Sequence, residues 1–129
     1  MKNTHSIKIP GYVSGWTYKY FHQSAYEPPW NFPNKKVITF LFQFKRKEKI
    51  KLFRGINKYN KDTSYIVSWT YDKEIALNYI EDGGKIIEKN FYSNDILLDT
   101  TVLNNEQKIL LGYDYKIDDK EVLIIENNN

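Results

Sequence analysis

From Ile50 onward the chain writes its apolar residues in short runs broken by turn-forming residues, and this pattern limits the fold more than any other feature. Ile50-Lys-Leu-Phe-Arg-Gly-Ile56 puts Ile50, Leu52, Arg54 and Ile56 on one face, as a strand requires. Tyr65–Thr70 repeats the pattern, with Ile66, Ser68 and Thr70 on a common face. Lys85–Phe91, Ile96–Val102, Glu106–Leu111 and Glu121–Glu126 read as further strands. One segment departs from this period. Asp72 suits a helix N-cap, Glu74 falls in the first turn, and Ile75, Ala76, Tyr79 and Ile80 form an apolar stripe at helical spacing. Gly83-Gly84 closes that helix. The expectation is an α+β chain: a mostly β body over residues 49–126, preceded by an aromatic, partly helical part over residues 1–48.

Within that first part, residues 1–15 read as a leader and Trp16–Tyr26 as a short helix. Glu27-Pro-Pro-Trp-Asn-Phe-Pro33 cannot continue a regular helix, because each proline removes a donor and restricts its predecessor. Val37–Phe44 is apolar and fits helix or strand equally. At 129 residues, with no internal repeat and no Gly/Ser linker, a single domain over residues 1–129 is expected. The absence of cysteine excludes a disulfide scaffold, a thiol nucleophile and a Cys-based zinc site. His5 and His22 stand in no cluster with metal-ligand spacing, so no metal is expected, and neither suggests a Ser–His–Asp site. Gly83-Gly84 lacks the lysine and hydroxyl of a phosphate-binding loop. No apolar run approaches the roughly 20 residues that span a bilayer, and the start opens no apolar signal segment. A cytoplasmic protein without a membrane partner is the expectation, including one that acts inside a host cell.

Residues 1–64 carry 13 Lys/Arg against 3 Asp/Glu, whereas residues 65–129 carry 6 against 13. Such asymmetry fits a basic nucleic-acid-binding half, two halves that attract each other, or a cleft with walls of opposite sign. Aromatics interleaved with lysine over residues 16–51 add to the first of these readings. Lysine numbers 17 and arginine only two, Arg46 and Arg54, so an arginine is informative here.

Three segments carry candidate chemistry. Arg54 lies on the face of Ile50, Leu52 and Ile56, where a guanidinium needs a carboxylate, a phosphate or water. Its planar fork suits bidentate phosphate contact, and Gly55 allows a ligand close to the backbone. An internal Arg–carboxylate pair would satisfy it equally. Ser68 and Thr70 place two hydroxyls on one strand face at the entry to a helix, suited to a ligand, a carboxylate or a cap. In Glu106-Gln-Lys-Ile-Leu-Leu111, a carboxylate enters an apolar run after Asn104-Asn105, suited to stabilising a cation or to an exposed ion pair with Lys108.

Phe53-Arg54-Gly55, then Ser68-Trp69-Thr70 running into Asp72–Tyr79, then Glu106–Leu111, together resemble the mono-ADP-ribosyltransferases of the Arg–Ser–Glu type, the cholera-toxin-like, C3-like and phage enzymes. That family's pattern is an aromatic-Arg-Gly strand, a Ser-x-Ser/Thr strand leading into a helix, and a Glu/Gln-x-Glu opening an apolar strand. The resemblance implies a split β-sandwich of two packed, mostly antiparallel sheets around an NAD cleft. It implies transfer of ADP-ribose from NAD, the substrate, to a protein acceptor, arginine among the candidates, with release of nicotinamide and no metal. Arg54 would hold the NAD phosphates and Gly55 would let its backbone approach the nicotinamide amide. Ser68, with Thr70 supporting the strand, would position the acidic residue near the nicotinamide ribose. Thr100–Asn105 would match the substrate-recognition loop.

The family's catalytic Glu is the second acidic position, directly before the apolar run, and on this alignment that position is Lys108. An ammonium would oppose an oxocarbenium-like cation. Glu106 is then the working carboxylate, carried into place by a bulge after Asn105, or Asp99 substitutes for it. The alternatives are an inactive domain of the same fold that acts by binding, and a basic nucleic-acid-binding domain.

Overall fold

The computed structural model of the protein describes residues 8–22, 33–56, 66–78, 80, 84–113 and 119–126. In chain order they form α1 (Gly11–Phe21), α2 (Lys35–Leu41), β1 (Ile50–Ile56), β2 (Ile66–Thr70), α3 (Lys73–Leu77), β3 (Lys85–Phe91), β4 (Ile96–Asp99), α4 (Asn105–Leu111) and β5 (Glu121–Ile125). The chain is mixed α+β; the described residues form four α-helices and one five-stranded antiparallel sheet in the order β3-β1-β2-β5-β4. No helix among the described residues is long and apolar enough to cross a membrane.

The sheet is not evenly knit. Every residue of β1 has a partner on β3, from Ile50↔Phe91 to Ile56↔Lys85. Likewise β2 pairs with β5 along its length, from Ile66↔Ile125 to Thr70↔Glu121. Between β1 and β2, by contrast, the described residues share the single register pair Phe53↔Thr70. The junction of β1 and β2 is therefore the most sparsely paired in the sheet.

Strand alternation distributes two cores over the two faces. Ile66 of β2, Leu98 of β4 and Leu123 of β5 pack with Val13, Tyr20 and Phe21 of α1, Val37 and Leu41 of α2 and Leu111 of α4. On the opposite face, Ile50 and Leu52 of β1 meet Val67, Trp69, Phe91, Val122 and Ile124. Trp69 and Phe91 close that side edge to face, with ring centroids 4.8 Å apart.

Several elements differ from the sequence expectation, each for a local reason. The first helix begins at Gly11, because Pro10 at φ −62° is already set for the start of a helix; residues 23–26 lie outside the described set. Asn34 accepts a hydrogen bond from Val37 N and settles the ambiguous apolar segment as α2. Asp72 caps α3 as expected by accepting from Glu74 N at 2.9 Å, but the helix ends at Leu77. Ile96–Val102 is a strand only to Asp99 and then a turn of 3₁₀ helix, Thr100–Val102. The largest correction is Glu106–Leu111, which is helix and not strand. Asn104 Oδ1 accepts from Gln107 N and Gln107 Oε1 accepts from Asn104 N, a reciprocal cap that nucleates the first turn of α4. Gly112, at φ 85°, terminates it.

Candidate functional site

Arg54 and Ser68 meet at the sparsely paired junction of β1 and β2. Arg54 is half-buried, and its Nη1 donates to the Ser68 carbonyl at 2.8 Å. Burial lowers its affinity for its proton, opposed by the nearby Tyr20 phenol and Glu126 carboxylate. Glu126, just past the end of β5, also accepts from Trp69 Nε1 at 3.4 Å. Gly55 is buried beside Arg54 in the same strand.

The Ser68 hydroxyl lies on the other side of β2, hydrogen-bonded at 2.7 Å to the phenol of Tyr20 on α1. The same face of the sheet carries Glu121. Antiparallel partners point the same way, and the register Ser68↔Leu123 and Thr70↔Glu121 makes Glu121 the diagonal neighbour of Ser68. Such neighbours are about 7–8 Å apart at Cα. Glu121 is only 5% exposed. Burial first, and then the Glu121 carboxylate, push the Tyr20 phenol far above the ordinary tyrosine range, while Ser68 and Arg54 pull it down. Tyr20 thus feels Ser68, Glu121 and Arg54, although these come from β2, β5 and β1 and Tyr20 from α1.

The segment that delivers Glu121 is tied on three sides. Thr70 Oγ1 donates to the Asp119 carbonyl at 2.7 Å, and Tyr113 OH donates to the Asp119 carboxylate at 2.5 Å. Lys120 adopts the left-handed φ of 55°, with its ammonium 3.6 Å from the Asp72 carboxylate. Thr100 Oγ1 then donates to the Glu121 carbonyl at 2.6 Å. A non-glycine residue in that left-handed region persists only where its surroundings over-determine it. Here the consequence is that Glu121 enters β5 pointing inward. Thr70 therefore acts as a clamp, holding Asp119 and accepting from Asp72 N at 3.1 Å.

The other expected acids lie elsewhere. Glu106 is exposed in the first turn of α4, where a carboxylate favours the helix start. Lys108 is on the same helix, its carbonyl accepting from Tyr113 N at 2.9 Å. The bulge invoked to carry Glu106 onto a strand has no strand to act on. Asp99 is fully buried and heavily engaged: it accepts from Tyr71 OH at 2.5 Å and from Thr101 N at 2.9 Å, and it lies 3.5 Å from Arg46 Nε. That is a structural anchor for the end of β4. Thr100–Asn105 holds a 3₁₀ turn and the cap of α4. Among the described residues, no group of three or more His, Cys, Asp or Glu is placed to hold a metal ion.

Sequence reasoning missed Glu121 and Tyr20. For Glu121 a signal was present: Asp119-Lys120-Glu121 followed by Val122-Leu-Ile-Ile125 is an acid-x-Glu opening an uninterrupted apolar strand, with the glutamate in the second position. Tyr20 had none, since it is one aromatic among many in the N-terminal part. The chain matches no family model, no curated protein and no solved structure.

Proposed function

We propose that the chain is a mono-ADP-ribosyltransferase that takes ADP-ribose from NAD, with Arg54, Ser68 and Glu121 as its site. The observation that carries this reading is the meeting of an Arg-Gly strand, a Ser-x-Thr strand and a buried glutamate that opens an apolar strand. With Glu121 in place of Glu106, the acidic position is a carboxylate and the difficulty posed by Lys108 disappears. The narrow junction of β1 and β2 supports a split sheet with the dinucleotide lying along the parting.

In this reading the Arg54 fork binds the pyrophosphate, for which a delocalised planar cation is well suited. Gly55 lets the ligand approach the β1 backbone. The bond between the ribose anomeric carbon and nicotinamide breaks, and its electron pair leaves with nicotinamide. The Glu121 carboxylate stabilises the oxocarbenium-like cation that remains, as a carboxylate does in glycoside cleavage. The acceptor's lone pair then bonds to that carbon and the acceptor loses a proton. Asp119 stands where arginine-modifying members of the family carry the acid that activates the acceptor, so a protein guanidinium fits as acceptor.

The test is incubation of the purified protein with labelled NAD and a protein lysate. Nicotinamide release together with label on protein is expected. Absence of both NAD consumption and NAD binding refutes the reading, whereas tight NAD binding without consumption identifies an inactive binder of the same fold.

A further inference from the structure

We propose that Tyr113 is a positioning residue for the acceptor: it pins one oxygen of the Asp119 carboxylate, so that the other, Oδ2, is presented to an incoming guanidinium. The proposal rests on the reading of Asp119 as the acid that meets a protein arginine, and it names the side chain that aims it.

Local chemistry places Tyr113. The reciprocal cap between Asn104 and Gln107 starts α4, and Gly112 ends it at a φ of 85°. Tyr113 N then donates to the Lys108 carbonyl at 2.9 Å, which closes the helix. The Tyr113 ring packs on Phe21 of α1, with centroids 4.9 Å apart, and the residue is 1% exposed. A phenol buried this deeply has to give its proton to an acceptor. Here the acceptor is Asp119 Oδ1, at 2.5 Å. Burial first, and then that hydrogen bond, push the ionisation of Tyr113 far above the ordinary tyrosine range, so the phenol stays a donor at any ordinary pH.

Asp119 is thereby held at two points. Its carbonyl accepts from Thr70 Oγ1 at 2.7 Å, and its Oδ1 accepts from Tyr113. A carboxylate fixed through its backbone and through one oxygen keeps the direction of its second oxygen. Asp119 is half-buried, and among the described residues no hydrogen bond or ion pair reaches Oδ2. A guanidinium N–H is a strong, charge-assisted donor to such an oxygen. Phenylalanine at position 113 would fill the same core space, so packing alone does not call for the hydroxyl. Glu121 keeps its own ties without it: Thr100 Oγ1 holds the Glu121 carbonyl, and Thr70 holds the segment before it.

Tyr113→Phe, assayed with labelled NAD and arginine methyl ester as acceptor, separates aiming from packing. KM for the ester should rise about tenfold, the effect of roughly one hydrogen bond, while nicotinamide release without acceptor stays within about twofold of the parent. Asp119→Asn should raise the same KM at least as far. The double variant should be no worse than Asp119→Asn alone, because Tyr113 acts only through that carboxylate. A second readout needs no turnover: calorimetric titration of arginine methyl ester into the protein without NAD, where Tyr113→Phe should bind about tenfold more weakly. A parental KM for the ester in Tyr113→Phe, nicotinamide release that falls in step with transfer, or losses that multiply in the double variant overturn the role of Tyr113. Should the parent release no nicotinamide, the transferase reading fails, and equal ester binding by the parent and Tyr113→Phe then overturns the Tyr113 proposal separately.

Discussion

Glu121→Gln is the most informative single perturbation, because stability and turnover should respond independently. The side chain is 5% exposed, so its charge is held largely out of water. Glutamine keeps the shape and removes the charge, so thermal melts read any stability cost separately, at about 4 °C for each kcal/mol in a domain of this size. Turnover should fall. A carboxylate about 5 Å from a developing positive charge, at an effective dielectric near 20, attracts it by about 3 kcal/mol. At roughly 1.4 kcal/mol per decade, the loss is on the order of 10²-fold in kcat. Nicotinamide release from NAD measures this directly, with calorimetric NAD binding and thermal melts on the same preparation. Glu106→Gln is the control: exposed on α4, it should leave kcat within about twofold of the parent, as surface changes usually do. Comparable kcat in Glu121→Gln and the parent, or an equal loss in Glu106→Gln, refutes the assignment of Glu121.

Arg54→Lys should weaken NAD binding about tenfold, because a point charge replaces the fork that now reaches the Ser68 carbonyl, whereas Arg46→Lys, a change at a residue paired with Asp99, should not. Titration calorimetry decides, and equal affinity for the parent and Arg54→Lys removes the phosphate role. Gly112→Ala should lower stability by roughly 1–3 kcal/mol in urea melts, the usual cost of a non-glycine residue forced left-handed. The reasons are a φ of 85° and a new Cβ 2.6 Å from Tyr18 Cδ2. Alkaline stability should track the buried phenols. Tyr20, Tyr71 and Tyr113 all have ionisation pushed above the ordinary 10.0, chiefly by burial. A raised folded-state pKa gives stability that is fully present below the unfolded value and lost as pH rises through the folded one. Urea melts should therefore show a decline beginning above pH 10.0. Lys45 and Arg54, lowered by burial, act with the opposite sign, so Tyr71→Phe against the parent isolates one phenol: its decline should be the shallower.

The strands β1 and β2 were legible because alternation with a period of two, bounded by polar residues, has few other solutions. The cap at Asp72 was legible because N-capping is local: one side chain and the next turn suffice. Arg54 and Ser68 stood out for the same reason, as polar groups on faces that the pattern assigns to the interior. Glu106–Leu111 was misread because six residues are too few for periodicity to separate strand from helix, and the cap between Asn104 and Gln107 was the better guide. Which glutamate is buried was not a local property at all. Glu106 and Glu121 each precede an apolar run, and they differ in what surrounds them once the chain folds. Glu121 is buried because β5 lies between β2 and β4 with α1 across its face, and Glu106 is exposed because α4 turns it outward. Local chemistry along the chain thus determined the strand period, the α3 cap and the two polar residues at the junction of β1 and β2. Only the tertiary structure buried Glu121 and set Tyr20 against Ser68, because burial and charge proximity arise between elements distant in sequence.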